Sequence, residues 1–167
     1  MEKAAVPLFI EKMAKRAPTF RGLTEMALKD LRALHGRAEI VCGPITTGGY
    51  NNVVVNLLVF NYAIEVLQDY GRPMFNQMPY EAGLADLEHE WKLKNQTETY
   101  CHPILTEFYE PLFYSRLIKG AWFLPGWEKS KGSTWEHERL TRYHIPTGYL
   151  PAGWMQRLIL TPYMTCI

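Results

Sequence analysis

A short apolar run, a glycine-rich loop and a long segment with a helical apolar stripe follow one another between Ala38 and Gly71, and this order restricts the fold more than any other feature of the chain. The run "AEIVC" stops at Gly43 and Pro44, as a buried strand does when it leads into a loop. The loop is "GPITTGGYNN". Beyond it, Val53, Leu57, Phe60, Ile64 and Leu67 recur at intervals of four and three, and Gly71 closes the segment. The valines alone favour a strand, so it is the period that makes this a helix.

The rest of the chain continues the alternation. "LTEMALKDLRALHG" reads as a helix of about three turns, with Thr24 as its cap and Gly36 just past its end. "RPMFNQM" reads as a second short strand. The polar stretch "PYEAGLADLEHEWKLKNQTETYCH" lacks a clear period and reads as a long, lid-like loop with some helix around Leu84 to Leu93. Pro103 can start a helix through "ILTEFYEPLFYSRLIKG", which Pro111 either kinks or divides. "AWFLPGW" is a third strand, "STWEHERLTRYH" a short helix and "IPTGYL" a fourth strand. Strands alternating with helices imply parallel pairing, hence a three-layer, doubly wound α/β sandwich with a mainly parallel sheet. Ligands of such folds gather at the carboxyl ends of the strands, where both glycine-rich loops fall.

With 167 residues, 47 % of them apolar, the chain suffices for one domain with one packed core. Eighteen basic against seventeen acidic residues leave a net charge of +1, which excludes a generic electrostatic grip on a nucleic-acid polymer or an anionic membrane. A partner must be recognised locally. Cys42, Cys101 and Cys166 are too scattered for a disulfide framework or a zinc site, so the expectation is a reducing cytoplasm and no metal. The first twenty residues are interrupted by Glu11, Lys12, Lys15 and Arg16, which fits neither a signal-peptide core nor a membrane span. His89 and His137 each stand in "EHE", where neighbours on a helix point apart and no HExxH is formed; both read as ordinary exposed positions. Trp122, Trp127 and Trp135 read as core and rim packing around the turn at 124–133.

Each loop admits two readings. In "CGPITTGG" the glycines let backbone N–H groups approach a ligand and Thr46 and Thr47 offer hydroxyls, yet the lysine of a phosphate-binding loop is missing and a plain strand-to-helix connection explains the glycines equally. In "SKGSTWEHE", Ser130, Gly132, Ser133 and Thr134 at a helix N-terminus can bind an anion beside Glu136. Alternatively Ser133 and Glu136 form a capping pair that leaves Ser130 outside.

Taken together, a strand ending in "CGPITTGG", a helix, a strand ending near "MFNQM", and "LPGWEKSKGSTWEHE" before another short strand resemble the nucleoside 2-deoxyribosyltransferase superfamily, which includes deoxynucleoside 5'-monophosphate N-glycosidases. The resemblance covers roughly residues 39–150 and implies a flavodoxin-like, Rossmann-like domain with an added N-terminal helix and C-terminal tail. It implies that Glu136, four residues after Gly132, attacks the anomeric carbon of a (deoxy)ribosyl group, in hydrolysis or base exchange without a cofactor. Ser130 matches a serine on the 5'-phosphate, with Gly132 and Ser133 beside it; Gly43, Ile45, Thr46 and Gly48 match the segment over sugar and base, and Asn76 falls where the second strand would reach the base. The aspartates usual in the family are replaced: Lys119 or Gly120 stands at one position and Glu110, with Glu107 as substitute, near the other. The implied partner is a nucleoside or nucleotide. A homodimer or larger assembly is expected from the aromatic-rich helices, and the carboxylate of Ile167 could complete a neighbour's site. The loss of the aspartates leaves a second expectation open, a non-catalytic nucleotide-binding or sequestering protein.

Overall fold

A computed structural model describes residues 19–154; the readings on residues 1–18 and on the tail from Met155 to Ile167 lie outside the described residues. Strand β1 (Ala38–Cys42) pairs in parallel with β2 (Ile118–Phe123), which pairs in parallel with β3 (Thr147–Tyr149). On the other side of β1 a single parallel bridge joins Glu39 to Met74: Glu39 N–H donates to Pro73 O at 2.9 Å and Phe75 N–H donates to Glu39 O at 2.7 Å. The chain therefore builds outward on one side of β1 and then crosses to the other, which makes the gap between the ends of β1 and β2 the topological switch point.

Helix α1 (Phe20–Ala33) precedes β1, and α2 (Val53–Asp69) follows it. Helix α3 (Met78–Asn95) follows the bridge; a π-helical stretch (Ile104–Tyr109) runs directly into α4 (Glu110–Tyr114), and α5 (Lys131–Arg142) joins β2 to β3. Alternate residues of β1 face opposite ways, as the pleat requires. Val41 meets Val59, Phe60, Ala63 and Ile64 of α2, whereas Ala38, Ile40 and Cys42 meet α1, α3, α4 and α5. This is the expected three-layer α/β sandwich with a parallel sheet. Both faces of β1 are dry, which is why "AEIVC" is nearly continuously apolar. Its one charged residue, Glu39, accepts from Trp122 Nε1 at 2.6 Å and pairs with Arg72 at 3.0 Å.

Several local readings change. Helix α1 is capped by Thr19, whose Oγ1 accepts the Gly22 N–H at 3.0 Å, ahead of Thr24 rather than at it. Thr24 is buried, with its hydroxyl 2.9 Å from Phe20 O and 2.7 Å from Glu107 O; Pro111, four residues after Glu107, has no N–H to offer that carbonyl. Pro111 neither divides nor ends its helix, because the wider π turn before it makes room for the ring. The strand read at "RPMFNQM" reduces to the bridge at Met74, since Pro73 cannot donate to a ladder and Asn76 Oδ1 already turns the chain by accepting the Met78 N–H at 3.0 Å. The third strand begins at Ile118, three residues before the run "AWFLPGW". The helix expected around Leu84 to Leu93 extends in both directions to form the 18-residue α3, so most of the segment read as a loop is helical. It is held against α1 at Gly83, where a Cβ would come within 3.2 Å of Leu23 Cδ1, and by Tyr80 OH donating to Asp30 at 2.6 Å. Among the described residues no helix is long and apolar enough to cross a membrane.

Candidate active site

The two glycine-rich loops meet at the switch point because glycines of the first leave room for the Leu124 side chain and for the backbone of the second. A Cβ on Gly43, at the end of β1, would lie 2.6 Å from Leu124 Cδ1 and 2.8 Å from Leu124 Cβ, at the end of β2. Gly48 takes φ +76°, and a Cβ there would stand 3.2 Å from Lys129 O in the second loop. Asn56 on α2, 3 % exposed, fixes the first loop: its Nδ2 donates to Ile45 O at 2.9 Å and Gly48 O at 3.2 Å, and its Oδ1 accepts the Tyr50 N–H at 2.9 Å.

Beside these loops a cavity of about 600 Å³ opens between α2 and α3. Gly43, Ile45 and Thr46 line it from the first loop, Ser130 and Gly132 from the second, and Val54 and Leu58 from α2. Glu81 and Glu88 enter from α3, with Tyr100 and Tyr109 behind them in sequence. No Lys or Arg is among the lining residues. Tyr100 closes over Gly132 so tightly that a Cβ there would be 2.8 Å from its hydroxyl.

Ser130, not Ser133, is the N-cap of α5, and its Oγ accepts the Ser133 N–H at 3.4 Å. Its φ of −99° and ψ of 125° place it outside the helix, whereas Ser133 is already in the first turn. The capping pair of Ser133 with Glu136 is therefore not formed. Ser133 is 1 % exposed and its Oγ has no hydrogen-bond partner among the described residues.

Glu136, one turn further, is 7 % exposed. Burial pushes its carboxyl up to about 8; a hydrogen bond from the Cys42 thiol opposes this, and the charge of Glu81 reinforces it. Glu81 is pushed up to about 7 by burial, against a hydrogen bond from Tyr109 OH at 3.2 Å and with help from the charge of Glu88. Water in the open cavity reaches Glu81, so its shift is the more easily screened of the two. Burial also holds Cys42, Tyr100 and Tyr109 protonated, and the charge of Glu136 acts on all three in the same direction. The result is a buried Glu136 and a half-buried Glu81, both pushed up towards neutrality, among neutral donors. Titration of such a pair belongs to the pair rather than to either residue.

Of the residues read from the sequence, Gly43, Ile45, Thr46, Ser130 and Gly132 come together on the cavity wall, and Glu136 is coupled to that wall through Glu81, Tyr100 and Tyr109. The others do not join them. Gly48 serves the loop's shape, and Asn76 turns the chain ahead of α3 by accepting the Met78 N–H. Glu110 accepts from Tyr143 OH at 2.9 Å and pairs with Arg139 at 3.2 Å, away from the cavity lining; Glu107 is exposed and also lies off it. His137 is no ordinary exposed histidine: it stacks on Trp127 with centroids 4.4 Å apart and its Nε2 is 2.8 Å from Tyr149 OH. The residues missed are Glu81, Glu88, Tyr100, Tyr109, Cys42 and Asn56. For Asn56 a signal exists, a lone amide inside the apolar run "VVVNLLVF". Among the described residues no three or more His, Cys, Asp or Glu side chains gather as metal ligands. Comparison with family models, with curated proteins and with solved structures finds no match to this chain.

Proposed function

We propose that this chain cleaves the N-glycosidic bond of a nucleoside or nucleoside 5'-monophosphate, by hydrolysis or base exchange, with Glu136 as nucleophile. The observation that carries the reading is the buried Glu136 beside the half-buried Glu81 of the cavity wall, both carboxyls pushed up by desolvation, to about 8 and about 7, next to a nucleoside-sized cavity. Near neutrality the pair shares one proton, which at rest favours Glu136, the higher of the two; the reaction uses the form in which that proton has passed to Glu81, the acid, and Glu136 is ionised. Glu81 takes the place that the sequence assigned to Glu110. In the first step Glu136 forms a bond to the anomeric carbon as the carbon–nitrogen bond breaks; the bonding pair goes to the base, which takes its proton from Glu81. In the second, water or another base attacks the same carbon, gives its proton to Glu81 and releases Glu136. Leu57, Ile104 and Ile45 offer apolar contact to a flat base, and the N-terminus of α5 offers N–H groups to the hydroxyl or phosphate at the sugar's other end. The setting proposed is the cytoplasm and the working form a homodimer or larger assembly.

The test is a panel of nucleosides, deoxynucleosides and their monophosphates, read by chromatography for free or exchanged base, with wild type and Glu136→Gln. Release abolished by the substitution, and a sugar adduct on Glu136 trapped with a slow-reacting fluorinated substrate, are the expected results. No release from any member of the panel sinks the reading. A second reading, binding without cleavage, is favoured by one observation: Glu136 is 7 % exposed and is not itself on the lining. Retention of an intact nucleotide by the wild type, unchanged in Glu136→Gln, would establish it.

A further inference from the structure

At the opposite end of the sheet, where β2 and β3 begin, a separate cavity of about 420 Å³ is lined by Arg116, Lys119, Arg142 and His144, and by no carboxylate. None of the four is in an ion pair among the described residues. The carboxylate that reaches this wall, Glu110, is already taken by Arg139 and by the Tyr143 hydroxyl. Two helices end here, α4 and α5, and cations commonly stand at such ends to balance the helix dipole. That accounts for part of the charge only: two helix C-termini carry about one negative charge in all, against three permanent cations and a histidine. The excess is one or two positive charges in a concavity whose lining, among the described residues, holds no carboxylate. Arg116 and His144 each stand one residue past a helix cap, at φ +61° and +55°, where glycine is the usual occupant and a side chain is strained. Both strained positions thus carry a basic group on the same cavity. Tyr114, 72 % exposed, and Tyr143 stand beside it with ring centroids 6.0 Å apart at 69°.

We propose that this cavity is a second binding site, for a small oligophosphate anion, with Tyr114 and Tyr143 receiving a planar ring where the anion carries one. The two arginines and the lysine supply the charge-assisted hydrogen bonds that phosphate oxygens accept. This site is independent of the glycosidic reaction, and its test does not use that reaction. The full chain is titrated calorimetrically at low ionic strength with tripolyphosphate and, separately, with ATP. Both should bind, with affinity falling as salt rises. The double substitution Arg116→Gly and His144→Gly removes two basic groups at positions glycine occupies without strain, so the melting temperature should hold while both affinities fall about tenfold or more. If that variant does not fold, Arg116→Gln with Lys119→Gln removes the same kind of charge at nearly constant shape and should weaken binding likewise. ATP should bind more tightly than tripolyphosphate, and Tyr114→Ala should remove the difference; equal affinities of the two probes in the wild type overturn the part given to the tyrosines. Failure of both probes to bind, or affinities unchanged in the charge-removing variants, overturns the site.

Discussion

Glu136 stands under two opposed demands, and pH separates them. A carboxyl whose pKa rises from 4.5 to about 8 on folding binds its proton more tightly in the folded chain than in the unfolded one. Below about pH 4.5 both states are protonated and burial costs nothing in charge; between there and about pH 8 the unfolded state ionises first and stability falls; above that the folded state ionises too and the loss levels off. Glutamine stays neutral throughout. Glu136→Gln should therefore match the wild type near pH 5 and exceed it at pH 9 by roughly 1 to 3 kcal/mol. Denaturant titrations at the two pH values test this, and a difference that does not grow with pH contradicts it. Glu81, shifted upward in the same direction, adds to the wild type's decline over the same range. Activity should move the other way, being lost in the more stable variant.

Two glycines show how much the element they join decides the outcome of one methyl group. At Gly83, within α3, an added Cβ would meet only the flexible tips of Leu23 at 3.2 and 3.3 Å, while alanine gains about 1 kcal/mol of helix propensity. Gly83→Ala should come out near neutral. At Gly43 the same Cβ would meet the Cβ and Cγ of Leu124 at 2.8 Å, and neither can swing away. Gly43→Ala should cost about 1 to 3 kcal/mol and, by pushing β1 and β2 apart at their ends, disturb the cavity wall; equal melting temperatures for the two variants would refute the contrast. The same contrast explains what the sequence made legible. Helix α2 could be read because one apolar period runs between Asn52, its cap, and Gly71 past its end. Helix α3 could be read only in its middle, around Leu84 to Leu93, because it buries only Tyr80 and Leu84, leans on α1 through a glycine that looks like a breaker, and has polar residues on most other positions. Glu81 was hidden with the rest. Sequence reasoning turned to Glu110, yet successive helical residues point about 100° apart, so Tyr109 lines the cavity while Glu110 turns to Tyr143 and Arg139. Both loops were legible as glycine-rich and neither as a contact, because the approach of Gly48 to Lys129 and of Gly43 to Leu124 depends on how the strands pair.

Among the described residues, the cavities at the two ends of the strands are lined by opposite charges: Glu81 and Glu88 at the carboxyl ends of β1 and β2, Arg116, Lys119 and Arg142 at the amino ends of β2 and β3. The acidic end is also the more apolar at its rim: Val53, Val54 and Leu58, at 45, 66 and 62 % exposure, lie side by side on the first turns of α2 at the cavity mouth. Single exposed apolar side chains are ordinary, but three adjoining a binding cavity make a surface that association would cover. We expect a homodimer that uses this rim. Val54→Gln with Leu58→Gln should then shift the chain from dimer to monomer in light scattering at micromolar concentration. Its unfolding transition as a monomer should hardly change, because both side chains are mostly exposed within one chain and glutamine is at least as good a helix former as valine. Wild type that is monomeric under the same conditions rules the assembly out, and a variant that stays dimeric moves the interface away from α2.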